Sequence, residues 1–220
     1  MATVAKLSLV LALAAAPAAA LRPRARSTIA GLRPALRPLR AGVDATPTAV
    51  EDLKAELLAG ALAVGNNGVG AEPAAAEAVD ALAAALEEAA GKRGTGAVPS
   101  GVWDLLYTDS KGGSSGQVGP LVGEVTQTFE GDRLINSVAL FGGAFRVSLR
   151  AECKPLELEK GGRKTLRIGF EEVWVQVFGV EVTRKPNGGV GSWAMMYEDD
   201  DLRVMKTNQD SIFILQKRQE

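Results

Sequence analysis

The stretch FRVSLRAEC, residues 145–153, alternates strictly, with Phe145, Val147, Leu149, Ala151 and Cys153 on one face and Arg146, Ser148, Arg150 and Glu152 on the other. Successive side chains of a β-strand point to opposite faces, so this is a strand with one side buried and one in water. By that parity Cys153 points into a core, where a thiol acts as a small apolar filler rather than a nucleophile. The same period recurs outward from this segment. Residues 102–108, 122–129, 133–141, 165–171, 173–182, 192–197, 202–206 and 211–217 read as further strands, most of them separated by Gly, Pro, Asn or charged turns. About nine short antiparallel strands imply a closed up-and-down β-barrel, which has no free edges and at about eight strands can hold one small ligand. A β-sandwich is the competing arrangement. In VWVQVFGVEV, residues 173–182, both faces are apolar. The pattern leaves open which parity points inward, and such a strand invites cover by helices on its outer side.

Ahead of the strands the period is helical. Thr48 and Glu51 have capping-box spacing, and Val50, Leu53, Leu57, Leu58 and Leu62 fall on one helical face. After a loop at GNNGVGAE, residues 65–72, Pro73 suits a first helical turn. Val79, Leu82 and Leu86 then line a second helix that ends near Gly91 and Gly94. Both stripes are narrow and alanine-rich, so the pair is expected to pack against something larger. The expected fold is therefore mainly β, with a helical hairpin at 44–98 and a barrel of about eight to nine strands at 99–220. Residues 48–220 together form one unit.

The first 43 residues read as targeting sequence. Residues 1–20 carry one lysine near the start, an apolar run and a small-residue end at Ala18-Ala19-Ala20, as a secretory signal does. Residues 21–43 carry six arginines, Ser27 and Thr28 and no acidic residue, which is transit-peptide composition. A signal followed by a transit-like segment resembles the bipartite leader of proteins sent into complex plastids. Secretion with a basic arm is the alternative, and a single cysteine argues against it, because small secreted domains are usually rich in disulfides. Seven of the 25 Lys and Arg precede Asp44, while all 26 Asp and Glu lie at or beyond it, leaving 18 against 26, a net charge of −8. That balance provides no basic footprint for nucleic acid.

With no histidine and one cysteine, His-based triads and multi-cysteine zinc sites are excluded. The acidic run Glu198-Asp199-Asp200-Asp201 lies between two apolar alternations and reads as a hairpin loop, with Arg203 in reach of Asp199 or Asp201. It lacks the glycine and the bidentate Glu of a calcium loop. No catalytic residue, metal or cofactor is assigned.

Two ends of the chain carry a family resemblance. VWDLLYT, residues 102–108, resembles the W-x-L-L-Y-T strand of the plastid lipid-associated protein (PAP)/fibrillin family of plastoglobules and thylakoids. Tyr197, Asp199, Asp201, Leu202, Arg203, Val204, Phe213 and Leu215 are similar to its closing Y-x-D-x-D-L-R-I…F-V-L segment. The helical pair and VGEVTQTF also look like family elements, so the resemblance covers roughly residues 50–217. Lys206-Thr207 replaces the family's R-G pair and Asn67-Gly68 its N-R-G, so contacts made by those two arginines do not carry over. The resemblance implies a lipocalin-like barrel that binds, stores or transports apolar plastid molecules such as isoprenoid quinones, carotenoids or fatty acids, at a plastoglobule or thylakoid surface. It implies a non-enzymatic role, with Tyr197, Asp199, Asp201 and Arg203 as the structural closing motif, and the chain is expected to be a monomer. The aromatic residues of the strands supply candidate cavity lining: Trp103, Tyr107, Phe129, Phe145, Phe170 and Trp193. Two other readings stand beside this one, a coat or scaffold protein of plastoglobules and an enzyme acting on a bound isoprenoid or fatty acid.

Residues 1–43 fused to a fluorescent reporter are expected to direct it into a complex plastid, observed by microscopy. Recovery of the reporter from the medium would sink the plastid reading.

Overall fold

A strand that buries one face needs neighbours on both edges, and the alternation at 145–153 finds them. The computed structural model describes residues 47–91, 97–160 and 163–219. The two leader segments expected at 1–20 and 21–43 lie outside the described residues. Two helices, α1 (Pro47–Val64) and α2 (Pro73–Ala90), come first. The strands follow: β1 (Gly101–Thr108), β2 (Gln117–Val118), β3 (Leu121–Val122), β4 (Glu124–Glu130), β5 (Arg133–Leu140), β6 (Phe145–Lys160), β7 (Arg163–Val177), β8 (Val180–Pro186), β9 (Val190–Glu198), β10 (Leu202–Thr207) and β11 (Ile212–Lys217).

The pairing runs β6-β5-β4-β1-β11-β10-β9-β7, and β7 pairs back with β6, so eight antiparallel strands close a ring. This is the up-and-down barrel, not the sandwich. The ninth strand, β8, adds to the second half of β7, while the first half of β7 pairs with β9. The short β2–β3 ribbon stands apart from the ring.

Two segments depart from the sequence reading. The expected strands at 165–171 and 173–182 are instead one long strand, β7, which passes straight through Glu171-Glu172. The reversal comes later, at Phe178-Gly179, where both residues have positive φ, 49° and 79°. A phenylalanine in the left-handed region is not a turn signal in sequence, so the hairpin VWVQVFGVEV reads there as a single strand. The expected strand at 122–129 is also interrupted. A Cβ on Gly123 would lie 2.6 Å from the Ala139 carbonyl oxygen, and Val122 turns away to pair with Gln117.

The barrel has a core on each side of its wall. Inside, fourteen buried residues among those described pack together, including Leu105, Val125, Leu134, Cys153, Ile168, Met195, Met205 and Phe213. Outside, Leu202 and Val204 of β10 and Ile212 and Ile214 of β11 pack with Tyr107, Met196 and Tyr197 beneath the helices. The helices contribute Val50, Leu57 and Ala61 from α1 and Val79, Ala83 and Leu86 from α2. The strands that the helices cover are thus the closing pair, not 173–182. Leu62, expected on the buried face of α1, is 60% exposed, and Ala61 takes the contact. Among the described residues no helix is long and apolar enough to cross a membrane.

Polar contacts fix the helices in place. Buried Glu87 of α2 accepts from Arg163 of β7, through Nε to Oε1 and through Nη2 to Oε2 at 2.6 Å. In the loop between the helices, Asn67 Nδ2 donates to the carbonyls of Ser115 and Gly123 at 3.0 and 2.9 Å. Gly68 beside it has φ 87°, and a Cβ there would stand 2.3 Å from the Thr108 carbonyl oxygen. No side chain fits that contact without moving backbone. Gly68→Ala is therefore expected to destabilise the fold by about 3 kcal/mol or more, read from the shift in denaturant midpoint. A change under about 0.5 kcal/mol, the range of an ordinary surface substitution, would contradict this account.

Candidate functional site

Alternation along β10 sends Leu202 and Val204 out under the helices and Arg203 and Met205 into the barrel. Arg203 therefore does not join the acidic hairpin, as its spacing suggests. It is 0% exposed, the largest fully buried side chain among the described residues. Its guanidinium lies 4.7 Å from the ring centres of both Trp103 on β1 and Phe129 on β4. Nη2 donates to Gln127 Oε1 at 2.9 Å, while Nε and Nη1 have no hydrogen-bond partner. Burial pulls the guanidinium down to about 10, and the charge of Glu198 on the neighbouring strand acts in the other direction. The group remains a cation at neutral pH.

The thiol of Cys153 belongs to the same interior and is pushed up to about 12 by burial, with Arg203 opposing the shift. It is a neutral filler, not a nucleophile.

The six aromatic candidates divide into groups. Trp103 and Phe129 stand in the inner core around Arg203, and Trp103 donates its indole N–H to the Ser100 carbonyl at 3.0 Å. Trp193 and Phe170 are partly buried against the same core, Trp193 meeting Phe129 edge-on at 6.4 Å and 74°. Phe145 shares the inner face by register, opposite Leu140 and Val177, but lies half-buried at the far end of the barrel. Tyr107 is a correction. A bulge between Leu105 and Tyr107 shifts the parity of β1 and turns Tyr107 to the outer face, among the helix contacts. There its buried hydroxyl has no hydrogen-bond partner, and burial, followed by the charges of Asp80 and Asp109, pushes it up to about 12.

The acidic hairpin between β9 and β10 is a clamp centred on Asp199. Its Oδ2 accepts from Lys54 Nζ of α1 at 2.6 Å and from the Tyr197 hydroxyl at 2.7 Å. Its Oδ1 accepts the backbone N–H groups of Asp201 and Leu202 at 2.8 and 2.7 Å. Asp201 stands 3.9 Å from Lys54, and Asp200 is exposed. Burial alone would raise the Asp199 carboxyl, but Lys54, Tyr197 and the two N–H groups together hold it below its usual value. Of the closing motif, then, Tyr197, Asp199 and Asp201 act together and Arg203 serves the interior. Lys54 has no signal in the sequence, because nothing local marks a lysine as the partner of a carboxylate 145 positions away.

The two ends of the barrel differ in chemistry. Strand direction places the 198–201 hairpin, Ser100 and Lys217 at one end, where they border a recess of about 550 Å³. The turns at 141–143 and 178–179 stand at the other, joined by the Phe178 N–H to the Ala144 carbonyl at 2.7 Å. That end carries exposed apolar side chains, with Phe178 82%, Phe141 72% and Val180 66% exposed. Both phenylalanines hold positive φ, 49° and 53°, an uncommon conformation for a bulky residue.

No protein family, no curated protein and no solved structure matches this chain.

Replacing Asp199 by Ala is expected to cost about 2 kcal/mol at neutral pH, whereas Asp200→Asn changes stability by less than about 0.5 kcal/mol. The folded-state pKa of Asp199 is depressed, so its contribution is present above the ordinary carboxylate range and fades as pH falls through the lowered value. Wild type and Asp199→Ala should therefore converge in acid unfolding curves. Equal effects of the two substitutions at neutral pH would contradict the clamp.

Proposed function

We propose that this protein is a non-enzymatic binder of apolar plastid molecules, of the PAP/fibrillin type, which takes up isoprenoid quinones, carotenoids or fatty acids at a plastoglobule or thylakoid surface. The observation that carries this reading is the continuity of apolar surface along the inner face of the barrel. Leu134, Val138 and Ile168 lie in the packed core, Leu140, Phe145 and Val177 continue the inner face, and Val180, Phe178 and Phe141 stand exposed at its far end. Exposed contiguous apolar patches on soluble proteins mark sites of ligand, partner or membrane contact. An apolar molecule leaving a lipid phase would meet this end first. The resemblance at residues 102–108 and 197–215 supports the same assignment, and the leader at 1–43 supports a plastid location.

A coat protein of plastoglobules is the second reading. The inner core favours it, since fourteen buried side chains among the described residues pack together inside the ring. Both readings use the Phe141 and Phe178 end, and they separate on whether a ligand enters.

An apolar chain that buries about 350 Å² inside the barrel gains about 9 kcal/mol, of which association and ordering remove at least about 4. Binding from water is therefore expected in the high micromolar range or weaker, suited to exchange with a lipid phase. Titration of the protein with a prenylquinone should give saturable quenching of tryptophan fluorescence, since Trp103 belongs to the inner core and Trp193 packs against it, and Trp103→Ala should weaken it. Flotation with lipid vesicles without any saturable quenching would overturn the carrier reading in favour of the coat.

A further inference from the structure

We propose that β8 is a self-association edge, through which two copies of this chain join antiparallel along residues 180–185 and extend one sheet across both barrels. The inference does not rest on the binder reading, and the monomer expected from the sequence is then the dissociated form.

The ring leaves β8 outside it. One edge of β7 pairs with β6, while β9 takes the first half of its other edge and β8 the second half. Among the described strands β8 pairs with β7 alone, so its outer edge presents backbone N–H and C=O groups with no strand to receive them. Apart from half-buried Thr183, every residue of β8 is exposed. Of the large apolar side chains exposed among the described residues, Phe178, Val180, Val182 and Val190 fall on β8 and its flanks, and Leu62, Leu121, Phe141 and Leu156 are scattered elsewhere. A bare edge with valines on it is a template for another strand. Pro186, which has no N–H to give, ends the segment. Six residues a side make a small interface, and small interfaces are reversible.

Charge selects a second copy as the occupant. Glu181 lies near one end of the edge and Arg184 and Lys185 near the other, so a two-fold axis through its middle sets opposite charges against each other, where parallel pairing would set like against like. Parity fixes the register. Thr183 lies opposite Val175 and Glu181 opposite Gln176, so Val182 is an extra residue, a bulge. Glu181 and Arg184, opposite Gln176 and Trp174, therefore share one face although they are three positions apart. Arg184 donates there to both oxygens of Glu181, at 3.0 and 2.6 Å, and to Glu172 at 2.6 Å. A guanidinium has five N–H donors, so Arg184 keeps capacity for a second carboxylate. An axis between Val182 and Thr183 sets Glu181 opposite the partner's Arg184 and Val180 opposite the partner's Lys185, each pair on one face. A shift of one residue sets Glu181 opposite Thr183 or Lys185, which face the other way.

The test is sedimentation velocity of the full chain over a concentration series. Wild type should pass from monomer to dimer as concentration rises, and amide exchange at residues 180–185 should slow with it. Glu181→Arg and Arg184→Glu should each weaken the dimer about tenfold or more, because like charges then face each other twice across the axis. An equimolar mixture of the two variants should recover it, since every facing pair is opposite again. If Arg184→Glu fails to fold, Val182→Asp still decides: it sets two carboxylates beside the axis and should weaken the dimer as strongly. Leu62→Asp, on the exposed surface of α1, should leave the dimer intact. A chain that stays monomeric at every concentration overturns the proposal. A dimer that Val182→Asp leaves intact, or that Leu62→Asp disrupts as strongly, forms through another surface and overturns it too. A mixture of two folded charge variants that stays monomeric overturns the antiparallel register.

Discussion

The fold turns on the closing strands β10 and β11 being buried on both faces. A sheet in a small barrel normally buries one side and wets the other. Here Leu202, Val204, Ile212 and Ile214 face outward with almost no exposure, while Met205, Phe213 and Leu215 face inward. Left bare, the outer row would be an apolar patch directly on the seam where the ring closes to β1. The helices exist in that position because that row needs cover. Their own stripes are too narrow to form a core of their own, so neither layer is stable without the other.

Covering an apolar surface does not by itself fix orientation, since hydrophobic burial is non-directional. Orientation comes from three polar attachments at separate points: Lys54 to Asp199, Glu87 to Arg163, and the Asn67 loop to the carbonyls of Ser115 and Gly123. Each is partly buried and each joins a helical element to a different strand or loop of the barrel. Three attachments to separate strands and loops restrict how the helical layer lies on the sheet. The acidic hairpin, which reads in sequence as a surface turn, is one of the three.

The amino-acid pattern carries the ring but not its corners. Periodicity of two, sustained over the segments at 102–108, 133–141, 145–153 and 211–217, is enough to number and place most strands, because side-chain period is a local property of the chain. It fails wherever a local rule is broken by its neighbours. The bulge after Leu105 moves Tyr107 to the other face, and no residue type announces it. The Phe178-Gly179 reversal uses a phenylalanine where hairpin turns prefer Asn or Asp. Arg203 reads as outward-facing, because an arginine two residues from three aspartates is normally their partner. Only the alternation of Leu202, Val204 and Met205 around it says otherwise, and that alternation is a property of the sequence alone. At this position parity outranks charge pairing.

Keeping a cation at that inward position is expensive by comparison with the apolar residue that its neighbours Met205 and Leu215 would lead one to expect. Replacing buried ionic groups by apolar side chains of similar volume often leaves a protein equally or more stable. Strand pairing on β10 uses backbone groups alone, so Arg203 adds no ladder hydrogen bond, and its contacts with Trp103, Phe129 and Gln127 reach across to β1 and β4. The two aromatic rings and one amide are arranged so that the guanidinium tolerates burial while keeping donors in reserve. Buried groups that add no ladder hydrogen bond and retain unmet bonding capacity are the ones that stability does not explain. Among the described residues Arg203 is the side chain that combines a full charge with complete burial and two donor nitrogens without acceptors.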